Sequence, residues 1–180
     1  MKRSVKLIIL LLVLALLGGA YALLGKTAPE EEETETASAE ETFTILAIPY
    51  DTVAEMSWVC EGRTDDFRFR NDNGTWKYIP DESVIMDSSY LGTLADTFAG
   101  LEAYRELEMP EDISVYGLDK PFLTVTLKTA GGEEYVVTFG NATSVYGRRY
   151  CTIGDGKVYT VNSSAAAIFN YDLKNLVNPE

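Results

Sequence analysis

Histidine is missing from all 180 residues of this chain. That absence removes Ser-His-Asp and Cys-His nucleophile systems, imidazole-ligated metals and the commonest general base near neutral pH. Cysteine is almost as scarce. Only Cys60 and Cys151 occur, without Cys-x-x-Cys spacing, so neither a thiolate zinc site nor a thioredoxin-like redox motif is supported. The sequence has no P-loop, no Gly-x-Gly-x-x-Gly turn after a strand and no Gly-x-Ser-x-Gly elbow, and no cofactor is expected. Positive charge is also in short supply, with 15 Lys+Arg against 28 Asp+Glu and a net charge of −13. Such a chain repels phosphate backbones, which excludes nucleic acid as a partner.

The charge that is present is unevenly placed and divides the chain into three parts. Residues 1–26 carry Lys2, Arg3, Lys6 and Lys26 and no acid. Between them runs an uncharged, leucine-dominated stretch from Leu7 to Leu24. Eighteen residues at 1.5 Å per residue span about 27 Å, close to the hydrocarbon thickness of a bilayer. Helical backbone satisfies its own polar groups there, and leucine makes insertion favourable. The expected partner of residues 7–24 is therefore the lipid bilayer. The basic cluster stays cytoplasmic and everything after Lys26 is sent across, a single-pass arrangement. The alternative is a signal peptide cleaved near Ala22, after the Ala20-Tyr21-Ala22 sequence. Both readings export the rest of the chain.

Residues 27–42 form the second part. Seven glutamates and no basic residue make it a self-repelling, extended linker with too few apolar groups to build a core. Residues 43–180 form the third, one domain with 21 Asp+Glu against 11 Lys+Arg. At roughly 140 residues such a domain buries about two-thirds of its unfolded surface and needs no metal or disulfide to fold.

Within that domain the pattern is mainly short strands. Expected strands are Phe43–Ile48, Glu55–Cys60, Phe67–Arg70 and Trp76–Ile79, the last two joined by the Asn73-Gly74 turn. A helix capped by Asp87 or Ser88 comes next, with Leu91, Leu94, Ala95, Phe98 and Leu101 on one face at helical spacing. A connecting segment through Met109-Pro110 leads to two further hairpins. Phe122–Lys128 turns across Ala130-Gly131-Gly132-Glu133 into Glu134–Phe139, and Arg149–Ile153 turns at Asp155-Gly156 into Lys157–Val161. Ser163 or Ser164 caps a final short helix through Ile168, Phe169, Leu173 and Leu176. The expected class is α+β: antiparallel hairpins in one or two sheets, packed by one main helix and a short C-terminal helix, after an N-terminal transmembrane helix.

Cys60 and Cys151 lie in apolar, strand-like stretches. In an oxidising exterior they form a candidate disulfide pair, and two buried thiols behaving as small hydrophobes are the alternative. Asn71-Asp72-Asn73-Gly74 resembles a calcium loop only faintly, because Phe69 and Pro80 stand where ligands are needed.

Trp76 to Pro80, the helix ending near Leu101, the run Val115-Tyr116-Gly117-Leu118-Asp119-Lys120-Pro121, a Thr-Val-Thr-Leu strand, a hairpin ended by Gly140 and the late strand Val158–Val161 together resemble domain-of-unknown-function family 4340. The resemblance spans Phe43 to Leu176, and Tyr-Gly-Leu-Asp-x-Pro is its most specific part. It implies a membrane-anchored extracytoplasmic domain without an established activity and, by association, a link to membrane complexes containing ABC-2-type transporters. The candidate structural or recognition residues are Tyr116, Gly117, Leu118, Asp119, Pro121 and Trp76. Read physically, Gly117 and Pro121 make a joint, anchored by Tyr116 and Leu118.

The expected function is a non-catalytic extracytoplasmic module that binds a membrane or envelope protein, as an accessory of such a transporter. Late tyrosines (Tyr135, Tyr146, Tyr150, Tyr159) supply aromatics suited to recognition. A carboxylate-dependent hydrolase of envelope glycan is the catalytic alternative, and it requires two acids facing each other across a cleft roughly 5–10 Å apart. A purely structural spacer is the third reading.

Overall fold

The computed structural model describes residues 41–178. The membrane helix expected within residues 1–26 and the acidic linker through residue 40 lie outside the described residues. No helix among the described residues is long and apolar enough to cross a membrane.

Strands β2 (Val53–Cys60), β3 (Phe67–Asp72), β4 (Thr75–Tyr78), β6 (Arg105–Glu108), β7 (Leu123–Thr129), β8 (Glu134–Ala142), β9 (Arg148–Thr152) and β10 (Lys157–Asn162) form one sheet. Its order is β4-β3-β2-β7-β8-β9-β10-β6, and every pairing is antiparallel. Two short strands, β1 (Phe43–Thr44) and β5 (Glu102–Ala103), pair separately. The protein is α+β. Helix α1 (Ser88–Ala99) covers one face of the sheet, helped by the short α2 (Ser164–Ala167).

Alternation along the strands decides which side chains meet that helix. Met56, Trp58 and Cys60 on β2 are buried, as are Phe67 and Phe69 on β3 and Leu123, Val125 and Leu127 on β7. Opposite them α1 buries Leu91, Leu94, Ala95 and Phe98. Aromatic rings fill the centre. Trp58 stacks on Phe67 at 4.8 Å between centroids and meets Phe169 edge-on at 5.1 Å. Phe98 reaches Phe169 at 4.7 Å and Phe139 at 5.6 Å. Each such side chain contributes about 1.5–3 kcal/mol by leaving water.

Local chemistry places the breaks. Asn73 (φ 52°) and Gly74 (φ 88°) make the tight turn of the β3–β4 hairpin as expected. The Asp87 carboxylate accepts a 2.9 Å hydrogen bond from the Tyr90 N–H and caps α1.

Several expectations need correction. The strand expected over Phe43–Ile48 shrinks to two residues, because the N–H groups of Ile45 and Ile48 bond instead to the Leu101 and Ala99 carbonyls at the exit of α1. The helix itself stops at Ala99, before Gly100, so Leu101 is buried beyond its end. The edge strand β6 was missed: Arg-Glu-Leu-Glu carries no apolar run, and charge is a common feature of edges. Asp155-Gly156 is not a two-residue turn but part of a four-residue link from Ile153, with Gly154 and Gly156 both at positive φ. The final helix is likewise broken into α2 and a 3-10 turn at Leu173–Asn175.

Cys60 and Cys151 do not pair. Both are free and buried. Register sets them in one cross-sheet row, Cys60 opposite Leu123, Leu123 opposite Phe139, and Phe139 opposite Cys151. Three strand spacings of about 4.8 Å put them roughly 14 Å apart, far beyond disulfide reach. They pack as small hydrophobes, and burial pushes the Cys151 thiol up to about 12.

Candidate functional site

Tyr116 ends a 3-10 turn, Ile113–Tyr116, whose entry is capped by the Asp112 carboxylate accepting from the Ser114 N–H at 3.0 Å. Hydrogen bonds from Ser114 hold that carboxyl below its usual range. Gly117 then adopts φ +69°, the left-handed conformation that glycine tolerates best. Leu118 is buried apart from the main core, Asp119 is exposed and Pro121 is half-buried. At the next residue the Phe122 N–H bonds to the Phe139 carbonyl at 2.8 Å, and the chain enters β7.

This segment lies directly on β8. A Cβ placed at Gly140 would meet the Tyr116 carbonyl oxygen at 2.0 Å and the Gly117 carbonyl carbon at 3.1 Å. Two backbones touch there because Gly140 has no side chain. The β8–β9 register shifts between Phe139 and Ala142 at this point. Arg149 secures the irregularity, its guanidinium donating to the Gly140 carbonyl and lying 4.3 Å from the centre of the Phe122 ring. Burial lowers the Arg149 pKa.

Trp76 does not join this group. It sits on β4, with three strands between it and β8. Its ring is 1% exposed beneath α1, its indole N–H lacks a partner among the described residues, and its backbone N–H donates to the Ser88 hydroxyl at 2.9 Å. Trp76 is core packing.

A groove of about 780 Å³ opens where α1 ends. Ile48, Ala99, Leu101 and Ala165 form its buried, apolar floor. Asp96, Glu102, Asn162 and Ser164 give it an exposed polar rim. Glu102 already accepts a 2.8 Å hydrogen bond from the Thr42 hydroxyl. Ile48 is held there by its 2.8 Å backbone bond to Ala99, and Ser164 by its N–H donating to the Asn162 side chain at 2.9 Å. The groove is not legible in the sequence. Its walls come from distant segments, and the chain breakers Pro49 and Gly100 are the only local sign of it.

The carboxylates of the domain stay at its surface. Thr129 and Thr160 are the only buried polar or charged side chains among the described residues. Every described carboxyl with a displaced pKa moves downward. Hydrogen bonds from Arg68, Lys77 and Ser83 lower Asp66, Asp72 and Asp81, and Lys174 followed by Arg63 lowers Asp172. No cluster of three His, Cys, Asp or Glu suited to a metal occurs among the described residues. Of the late tyrosines, Tyr146 is wholly exposed at the β8–β9 link, Tyr159 is buried, and Tyr135 and Tyr150 are half-buried.

The family model described as "Domain of unknown function (DUF4340)" matches residues 76–180. The chain belongs to the DUF4340 family. The matched span begins at Trp76, later than the Phe43 read from the sequence, and leaves β2 and β3 outside the DUF4340 match although β2 pairs with β7 inside the sheet. It includes Tyr116, Gly117 and Gly140, so the backbone joint lies wholly within it. No curated protein and no solved structure matches the chain.

Proposed function

We propose that this DUF4340 domain is a non-catalytic binding module, held outside the cytoplasm by residues 7–24, whose groove at the exit of α1 receives a segment of a membrane or envelope protein. An accessory place in an ABC-2-type transporter complex is the partner context that the family resemblance favours. The groove carries this reading: an apolar floor of Ile48, Ala99, Leu101 and Ala165 inside a hydrogen-bonding rim suits an extended or helical peptide with an apolar face.

A hydrolase reading asks for one carboxyl kept protonated near neutral pH, which requires burial or a like charge close by. The rim acids Asp96 and Glu102 are exposed, and Glu102 is already hydrogen-bonded to Thr42. Binding therefore fits the groove better than glycan cleavage.

The test is site-specific photocrosslinking of the full-length chain in its native membrane. A photoreactive residue at Thr97, on the groove wall, should give a discrete adduct with a membrane protein, and one at Thr126, on the other face of the sheet, should not. Equal adducts from both positions, or none from Thr97, would reject the groove as the binding surface.

A further inference from the structure

On the face of the sheet opposite α1, strands β6, β10 and β9 bring a second group of side chains together. Cross-strand register sets Arg105 opposite Thr160 and Thr160 opposite Tyr150, so these three form one row on one face. In the next row Leu107 faces Val158. The acids of β6 belong to the other parity: Glu106 lies opposite Tyr159 and Glu108 opposite Lys157, and the Lys157 ammonium pairs with Glu106 at 2.6 Å. Strand alternation thus separates Arg105 from its acidic neighbours. The Arg105 guanidinium has no ion-pair or hydrogen-bond partner among the described residues.

A pocket of about 240 Å³ occupies this site, lined by Arg105, Leu107, Tyr116, Arg148, Tyr150 and Thr160 together with the Thr143–Val145 loop. Tyr116 and Tyr150 pack against each other at 4.4 Å and form one wall. Arg148 holds its guanidinium 4.2 Å from the centre of the Tyr104 ring. Thr160 is 7% exposed, and its buried hydroxyl has no hydrogen-bond partner among the described residues. A buried hydroxyl left unmatched beside the Arg105 guanidinium suits a ligand that accepts hydrogen bonds from both.

We infer that this pocket is a binding site for a carboxylate borne on a small, partly apolar body, with Arg105 as the charged anchor, Thr160 as the hydroxyl donor and the Tyr116–Tyr150 pair as the apolar wall. The planar guanidinium fork matches a carboxylate in two parallel bonds. A carboxylate carries a single charge, and the domain's excess of acid, 21 Asp+Glu against 11 Lys+Arg over residues 43–180, opposes a doubly charged phosphate more strongly. The joint at Gly140 belongs to the same site, because it fixes the backbone that carries Tyr116.

The experiment uses the full-length chain in detergent, with acetate, phenylacetate and inorganic phosphate as probes at constant ionic strength, and NMR of the arginine Nε–H signals as readout. Phenylacetate should shift the Arg105 signal saturably, more tightly than acetate, with phosphate weakest. Read on the Nε–H signal of Arg148, which lines the same pocket, Arg105→Gln should weaken phenylacetate at least tenfold, and Thr160→Val, which keeps the shape and removes the hydroxyl, several-fold. A capped tetrapeptide with a free C-terminus tells a small free acid from the end of a larger chain: competition with phenylacetate assigns the site to chain ends, and its failure assigns it to small acids. Absence of a saturable shift, phosphate binding tighter than phenylacetate, or unchanged affinity in a folded Arg105→Gln chain would overturn the proposal.

Discussion

The carbonyl oxygen of Tyr116 rests against the α-carbon of Gly140, so closely that a methyl group at Gly140 would fall 2.0 Å from it. The contact is between two backbones, and neither side yields as a flexible side chain would. Gly140→Ala must therefore move the whole Ile113–Gly117 turn or distort the β8 irregularity. It should cost about 1–3 kcal/mol or more in overpacking. Gly131→Ala is the control: its new Cβ meets the Thr129 hydroxyl oxygen at an ordinary 3.6 Å, and stability should stay within about 0.5 kcal/mol of wild type. Urea unfolding of both variants checks the difference.

Both thiols should be silent in the native protein. Cys60 and Cys151 are 2% and 0% exposed, and burial raises both thiol pKa values, which suppresses the reactive thiolate. A maleimide should label neither until denaturant is added, and then both. Oxidant should produce no intramolecular crosslink. Rapid native labelling, or a disulfide-bonded monomer formed without unfolding, would contradict the row that keeps them three strands apart.

Alkali should destabilise the domain. Burial raises Cys151 from 9.0 to about 12. Tyr90 rises from 10.0 to about 12, through burial and then the neighbouring Tyr171. In both cases the folded state holds the proton more tightly than the unfolded state. Their stabilisation is complete below about pH 9 and is lost as pH rises from there towards 12. Thermal melts between pH 8 and 11 should fall with pH. Cys151→Ala should start lower, because a buried sulfur is lost, and then decline less steeply. A flat profile in the wild-type chain would contradict the burial of these groups.

How much of this the sequence disclosed depends on distance along the chain. The β3–β4 hairpin was legible because Asn73-Gly74 encodes its own turn, and α1 because Leu91, Leu94, Ala95 and Phe98 repeat at helical spacing. The role of Gly117 as a joint was readable from a glycine with Pro121 close behind it. Its contact was not, since nothing near residue 117 announces Gly140. Leu101 was misplaced because a buried residue just past a helix end fits the same periodicity as one inside it. The groove and the Arg105 pocket were illegible for the same reason: cross-strand pairing and chain crossings create them, and β6, Arg-Glu-Leu-Glu, carries no apolar run.

The proposed groove partner, a membrane or envelope protein, requires the domain to face the exterior. The most direct measurement adds one cysteine at Tyr146, which is wholly exposed, while the two native thiols remain buried and unreactive. With Tyr146→Cys in the full-length chain, a membrane-impermeant maleimide applied to intact cells should label the protein without lysis. Labelling that appears only after the cells are broken would place the domain inside and contradict the account.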